Sequence, residues 1–329
     1  MTFRAFVVEK TDVGYRSGFK NLEVAELPNE KLLIDVAYSS LNYKDALAVS
    51  GTNQSVVRKF PMVCGIDLVG TVAESGDSRF RPGDKVVVVG GGLSETVWGG
   101  YSARMRVDPN LAVMLPPAFS EVQAMAIGTA GFTAMISVLT LEKSGVHPGQ
   151  GEVIVSGAAG GVGSVAVALL SKLGHNVVAS TGRVAAYDYL RSLGAAKCIP
   201  RKELDVSPNP LERARWAGGI DTVGGQTLAS ILSQTKPQGA IAACGLAGSS
   251  DLPTNMMPFI LRGVKLLGIN YFEIPKGWRE MAWKRLETDL NLEKLDAMTE
   301  IEPLSSIEFL ASKILRGNTR GRIVIDVNK

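Results

Sequence analysis

The stretch with the clearest chemical meaning is Gly157-Ala158-Ala159-Gly160-Gly161-Val162-Gly163. A short apolar, β-branched run, Glu152-Val153-Ile154-Val155-Ser156, precedes it and reads as a buried parallel strand. After it, Val162, Val165, Ala166, Leu169, Leu170 and Leu173 recur at helical spacing. A strand, a glycine turn and a helix start are what a dinucleotide pyrophosphate needs. Gly160 would let backbone come close, Gly163 would let the helix pack tightly, and first-turn N–H groups would face the anion. In the G-x-G-x-x-G register the first glycine is replaced by Ala158. The other reading of the same residues is a tight structural turn with no ligand.

A sheet that binds NAD carries Asp or Glu ~20 residues past the glycine turn, as acceptor for a ribose hydroxyl. Here that place reads Ser180-Thr181-Gly182-Arg183, and the next carboxylate is Asp188, inside an expected helix. A carboxylate would repel a 2′-phosphate; hydroxyls and a guanidinium would bind one. Arg201, after the following strand, can approach the same edge. NADPH is therefore expected in preference to NADH. The alternative for Arg183 is a solvated residue at a helix start.

His147 and His175 are the only histidines, and no Cys-x-x-Cys occurs. His147 falls in a loop, and His175 follows Gly174 at a helix end, where histidine commonly meets the carbonyl dipole. With Cys64, Cys198 and Cys244 as the only thiols a Cys₄ zinc site is impossible, and no metal is expected. No Gly-x-Ser-x-Gly elbow supports a hydrolase.

These residues must be held by two kinds of element. The first ~120 residues read mostly as short strands with glycine and proline turns: Arg4–Glu9, Lys31–Ser39, Leu68–Glu74, Lys85–Val89 and Tyr101–Val107. Ser120 is a plausible N-cap for an alanine- and methionine-rich segment, followed by the small-residue run Gly128–Met135, read as the bridge between domains. From Gly151 strands and helices alternate: strand Asn176–Ser180, helix Ala185–Leu193 ended by Gly194, then strands Lys197–Ile199, Ile220–Val223, Ala240–Cys244 and Val264–Ile269. This is an α/β chain with a doubly wound parallel sheet. The tail, a helix Ser306–Leu315 and a strand Arg322–Val327, is expected to rejoin the first domain. The domains are read as 1–123 plus 300–329, and 124–299.

At 329 residues with a net charge of +3 and no lysine–arginine block, the chain suits two globular domains and gives little support to nucleic-acid or membrane-surface binding. The start lacks the layout of a signal peptide, no stretch approaches ~18 apolar residues, and no transmembrane helix is expected. Few, odd and widely spaced cysteines fit a reduced, cytoplasmic protein.

The whole chain resembles the zinc-free medium-chain dehydrogenase/reductase family, in its acryloyl-CoA reductase and quinone-oxidoreductase branch. The residues that carry the resemblance are Ser39-Ser40-Leu41-Asn42-Tyr43-Lys44-Asp45-Ala46, Cys64-Gly65-Ile66-Asp67-Leu68-Val69-Gly70, Trp98-Gly99-Gly100, Gly128 to Met135, Asp221-Thr222-Val223-Gly224, Ala243 to Gly248 and Met257 to Arg262. In zinc-dependent relatives the second motif carries Gly-His-Glu; Ile66 and Asp67 stand at the His and Glu positions here.

The resemblance implies a GroES-like β-barrel-type domain, a Rossmann domain and a cleft between them, with NADPH-dependent reduction of an activated carbon–carbon double bond. It matches Tyr43 to the nicotinamide site, Ala159, Gly160, Gly161 and Val162 to the pyrophosphate loop, and Thr181, Gly182, Arg183 and Arg201 to the 2′-phosphate. Leu246, Ile260 and Asn318 match further cofactor contacts. It also implies a homodimer joined through the last Rossmann strand, Val264 to Asn270. The substrate would be a small molecule, acryloyl-CoA or another enoyl thioester; the alternatives are a quinone or reactive enone, and a non-catalytic NADPH-binding protein.

Reduction of an enoyl thioester puts charge on the thioester oxygen and needs a proton at the α-carbon. Tyr43 either gives that proton or only packs on the nicotinamide. Asn42 either donates to the oxyanion or holds its loop. Asp45 either orients Tyr43 or Lys44, or is a helix-start carboxylate. Asp67, at the former ligand position, is expected to face the cleft. Lys276, Arg279, Arg262 and Lys44 are candidates for the CoA phosphates by charge alone, the alternative being solvated surface charge.

Overall fold

The computed structural model describes residues 2–12, 14–51 and 56–329. They form two compact units, Met1–Thr129 with Thr299–Lys329, and Ala130–Met298. The sequence reading set the first changeover at 123/124; the units divide at Thr129/Ala130, because Ala126 and Thr129 are hydrogen-bonded into the first unit.

The first unit opens with β1 (Thr2–Thr11), β2 (Gly14–Glu23), β3 (Leu32–Leu41), α1 (Tyr43–Ser50), β4 (Met62–Val63), β5 (Asp67–Ser75), β6 (Lys85–Val89), β7 (Arg104–Val107) and β8 (Ala112–Met114), and runs into α2 (Glu121–Lys143). The second holds β9 (Glu152–Val155), α3 (Gly161–Lys172), β10 (Asn176–Thr181), α4 (Tyr187–Leu193), β11 (Lys197–Pro200), β12 (Trp216–Asp221), α5 (Gly225–Ser233), β13 (Thr235–Ala243), α6 (Met257–Arg262), β14 (Lys265–Gly268), α7 (Lys276–Asp289) and α8 (Leu292–Ala297). The chain then returns to the first unit with β15 (Thr299–Pro303), α9 (Ile307–Leu315) and β16 (Arg322–Asp326).

In the first unit β2, β1 and β4 make one small sheet, and β15-β16-β3-β5-β6-β8 make a larger one with β7 also paired to β3. β3 organises it. One of its edges pairs β5, while the other is shared, β7 taking Leu32–Asp35 and β16 taking Tyr38–Leu41. Register shifts in the β3–β5 pairing, between Leu33 and Ile34 and between Val36 and Tyr38, accompany this change of partner. Phe6, Leu32, Ile34, Met62, Leu68, Val86, Tyr101 and Ile325 fill the core.

The second unit has one six-stranded parallel sheet in the order β11-β10-β9-β12-β13-β14. The order reverses between β9 and β12, and in such sheets ligands bind beyond the carboxyl ends of the strands at that reversal. β12 starts at Trp216, earlier than the Ile220 read from sequence, and ends at Asp221. Gly218 and Gly219 hid it; a Cβ at Gly219 would lie 2.5 Å from Ile154 Cγ2, so the strand is glycine-poor in signal because it is tightly packed.

Against the sequence reading, α2 is long and apolar enough to cross a membrane by length and composition, the only such helix among the described residues. It is a core helix, with 94% of its apolar window buried inside the protein, and its helical path breaks at Gly128 (φ 46°, ψ −159°). Ser120 caps it as expected: Gln123 N–H donates to Ser120 Oγ (3.1 Å), and Ser120 N–H donates to Gln123 Oε1 (3.0 Å).

Candidate active site

The glycine loop joins β9 to α3. Its turn glycine is Gly157 (φ 56°), where a Cβ would meet Thr222 Oγ1 at 2.2 Å. The working spacing is therefore Gly157, Gly160, Gly163, and Ala158, taken from sequence as the replaced glycine, is a buried packing residue. Gly163 keeps α3 against the loop, since a Cβ there would stand 2.4 Å from Gly157 O. Gly160 is the N-cap of α3, and no side chain caps the helix. Ala159 is buried, whereas Gly160, Gly161 and Val162 are partly exposed. The loop thus presents backbone and an uncapped first turn, a fit for a pyrophosphate.

β10 ends at Thr181, whose Oγ1 accepts the Arg183 N–H at 3.2 Å. The exposed Arg201 lies across Gly182: a Cβ there would be 3.5 Å from Arg201 Cζ. No carboxylate occurs among Ser180 to Arg183. Thr181, Gly182 and Arg183 lie at the end of β10, and Arg201 follows the neighbouring strand β11 beside Gly182. This edge fits a 2′-phosphate in charge and geometry.

At the reversal of strand order the ends of β9 and β12 are stitched by a carboxylate. Buried Asp221 accepts Ser156 Oγ–H at 2.6 Å and Gly224 N–H at 2.7 Å. Burial pushes its carboxyl above the ordinary value, and these donors oppose the shift. Thr222 donates to Ser156 through both N–H (3.0 Å) and Oγ1 (3.1 Å). The Asp221–Gly224 motif is therefore a brace that holds the strand ends in register.

In the first unit Tyr43 opens α1 and is 43% exposed. Behind it lies a buried polar cluster. Asn42 caps α1 in a capping box with Asp45, and Asn42 N–H donates to Asp45 Oδ2 at 2.9 Å. Asp45 Oδ1 accepts Ile66 N–H at 2.8 Å. The Asn42 amide donates to Ser40 Oγ (2.9 Å), Asp45 Oδ2 (3.1 Å) and Asp67 Oδ2 (2.9 Å), and accepts from Arg322 (3.2 Å). That amide is fully engaged, which favours its loop-holding role over donation to an oxyanion. Asp45 touches neither the Tyr43 nor the Lys44 side chain in these bonds; it is the helix-start carboxylate. Burial, and next the charge of Asp67, push its carboxyl up to about 7.

Asp67 does not face an opening, contrary to the sequence reading. It is fully buried and collects Ser40 Oγ–H (2.5 Å), Thr129 Oγ1–H (2.5 Å) and Thr129 N–H (2.9 Å) besides the Asn42 amide. This buried carboxylate is enclosed by hydrogen-bond donors. The sequence reading missed Arg322, Ser40 and Thr129 as members of this cluster. The one available signal was a charged residue opening the apolar strand Arg322-Ile323-Val324-Ile325.

The remaining candidates differ in exposure and partners. Leu246 and Ile260 are large exposed apolar side chains of the second unit, and Asn318 is exposed after α9 in the first. Lys44 is paired with Glu95 at 2.7 Å. Arg262 is spent on the carbonyls of Glu212, Ser233 and Thr235. Arg279 lies over the Phe132 ring at 5.4 Å. The Lys276 side chain lies outside the described residues. His175 is buried, among the described residues its Nδ1 has no hydrogen-bond partner, and burial pulls its pKa down. Among the described residues no three His, Cys, Asp or Glu side chains are grouped to hold a metal.

Two family models match the chain, "Alcohol dehydrogenase GroES-like domain" over residues 28–117 and "Zinc-binding dehydrogenase" over residues 161–288. An acrylyl-CoA reductase, AcuI, of Ruegeria pomeroyi is 47% identical, over 99% of each chain. The crystal structure of YhdH from Escherichia coli K-12 with bound NADPH superposes with a TM-score of 0.96 at 45% identity, covering 98% of this chain and 100% of that one. YhfP of Bacillus subtilis, provisionally named a quinone oxidoreductase, is 40% identical over 98% of each chain. Its crystal structure with NAD bound has a TM-score of 0.94, covering 99% of each chain. With full-length likeness of this kind laid over a glycine-loop parallel sheet and a GroES-like unit, the chain belongs to the medium-chain dehydrogenase/reductase family.

Proposed function

We propose that the protein is an NADPH-dependent reductase of an activated carbon–carbon double bond, with acryloyl-CoA as substrate and propanoyl-CoA as product. The observation that carries this reading is the 47% identity to an acrylyl-CoA reductase over the length of both chains. When bound, NADPH supplies the hydride that adds to the β-carbon. The chain's own residues do the rest. The uncapped α3 start at Gly160 to Val162 holds the pyrophosphate, and Thr181, Gly182, Arg183 and Arg201 hold the 2′-phosphate. Leu246, Ile260 and Asn318 complete the cofactor contacts. The Tyr43 phenol, exposed at the start of α1, gives the proton for the α-carbon.

Quinone or enone reduction is the second reading. It is favoured by the likeness to YhfP, and by the engagement of Lys44 and Arg262 in internal bonds, which leaves fewer cations for CoA phosphates. We further propose a cytoplasmic homodimer. β14 is an edge strand of its sheet, and Met256, Met257 and Leu261 are exposed near it in sequence, a combination that suits strand pairing between two copies.

The test is steady-state oxidation of NADPH and NADH with acryloyl-CoA, with a quinone and with no acceptor. Strong turnover with NADPH and acryloyl-CoA and little with quinone is the expected result. Turnover on quinone alone would transfer the assignment to the second reading, and binding without turnover on any acceptor would end both.

A further inference from the structure

Among the described residues the Tyr43 hydroxyl has no hydrogen-bond partner, so whatever fixes the first turn of α1 fixes the phenol. The turn is pinned from behind. The Asn42 amide is bonded on one side to Asp67 and on the other to Arg322, and Arg322 is itself only 2% exposed. Arg322 Nε donates to Ala126 O at 2.6 Å. Asp67 takes Thr129 by both N–H and hydroxyl. Gly128, between them, has φ 46°, and a Cβ there would stand 2.6 Å from Asp67 Oδ2 and 3.1 Å from Arg322 Nη2. One buried carboxylate and one buried guanidinium thus tie together three segments far apart in sequence: 40–45, 126–129 and the start of β16.

We propose that Arg322 and Asp67 are positioning residues for Tyr43, acting through the Asn42 amide. This rests on the reading that Tyr43 serves the reaction. The clamp sets the place of a group that meets substrate without meeting substrate itself. An offset of ~1 Å in such a group costs up to about a hundredfold in rate, while leaving binding elsewhere untouched. A buried guanidinium that donates to the carbonyls of Ala126 and Met125 and to the Asn42 amide, which in turn donates to a buried carboxylate, favours a single geometry of the turn.

The experiment places 3-fluorotyrosine at position 43 in the full-length protein and follows its fluorine resonance without ligands, in the parent, Arg322→Met, Arg322→Lys and Asn42→Ala. NADPH affinity and kcat with acryloyl-CoA are measured on the same proteins carrying tyrosine. We expect one sharp resonance in the parent and a split or broadened one in Arg322→Met and Asn42→Ala. Arg322→Met should lose ~10- to 100-fold in kcat with NADPH affinity within twofold, and Arg322→Lys should recover part of both signals. Should Arg322→Met fail to fold, Arg322→Lys carries the test, since it leaves the Asn42 cap of α1 and the bonds of Asp67 from Ser40 and Thr129 in place, and a resonance unchanged from the parent in it would count against the proposal. An unchanged, sharp resonance in Asn42→Ala would overturn the proposal. A disturbed resonance in a protein inactive on acryloyl-CoA would uphold the positioning and sink the functional reading instead.

Discussion

Asp45 makes the fold's stability depend on pH in the direction opposite to an ordinary salt-bridged carboxylate. Its carboxyl is fully buried beside Asp67 and is pushed from 3.8 up to about 7. The unfolded chain releases this proton near 3.8, while the folded protein holds it to about 7. The folded state therefore binds more protons between those values, and stability falls as pH rises through that window. The slope from this one group is about 1.4 kcal/mol per pH unit, and the whole window is worth about 4 kcal/mol as an upper figure. Above pH 7 the contribution is gone and the curve is level.

Asp45→Asn isolates the effect. The amide cannot titrate, and it keeps one acceptor where the carboxylate has two, so either Ile66 N–H or the Asn42 donors lose a partner. That is a constant cost of roughly 1–3 kcal/mol, the same at every pH. The measurement is hydrogen exchange at the β3 and β5 amides, corrected for intrinsic rate, at half-unit steps from pH 5 to 8; it reads the first unit alone and needs no assumption that the two units unfold together. Parent minus variant should fall by about 1.4 kcal/mol per unit up to pH 7 and then stop changing. A difference that stays level from pH 5 to 8 would refute the reasoning. It would mean that the three N–H bonds to Asp45 outweigh burial and the charge of Asp67, so that the group is ionised throughout.

Two further outcomes test the cofactor and proton assignments. Arg183→Ala and Arg201→Ala should each raise KM for NADPH by roughly ten- to a hundredfold, the loss of a charge-assisted hydrogen bond, while KM for NADH stays within about twofold. An equal loss with both cofactors would count against a 2′-phosphate at the end of β10. Tyr43→Phe should lower kcat about a hundredfold, with NADPH affinity unchanged by fluorescence titration, and full kcat would remove the phenol from the proton's path.

What could be read along the chain and what could not follows from how far apart the interacting residues lie. The parallel sheet was legible because each strand, turn and helix of the second unit is a local pattern: Glu152–Val155, then glycines, then a helix from Gly161. β2 was missed because Gly14–Glu23 is mostly polar with two glycines. All ten of its positions pair with β1, so its strand state is dictated by its neighbour and not by its own residues. α6, α7, α8 and β15 were likewise passed over, and β15 exists because β16 offers it a parallel edge.

The site divides along the same line. The pyrophosphate loop and the end of β10 are contiguous segments whose chemistry can be counted off from one glycine. Asp67 cannot be read that way. It was expected in the open because its position matches a ligand position of zinc-dependent relatives, yet a buried carboxylate must find donors. Its donors come from residues 40, 42 and 129, with Arg322 reached through Asn42, and no window short enough to show periodicity contains them. Gly128 was seen as a small residue permitting close approach. The partner it approaches is this carboxylate, and a methyl group at that point would drive Asp67 and Arg322 from their places. The small-residue run after Ser120 and the charged first residue of β16 are thus two halves of one constraint, each uninformative until the other is beside it.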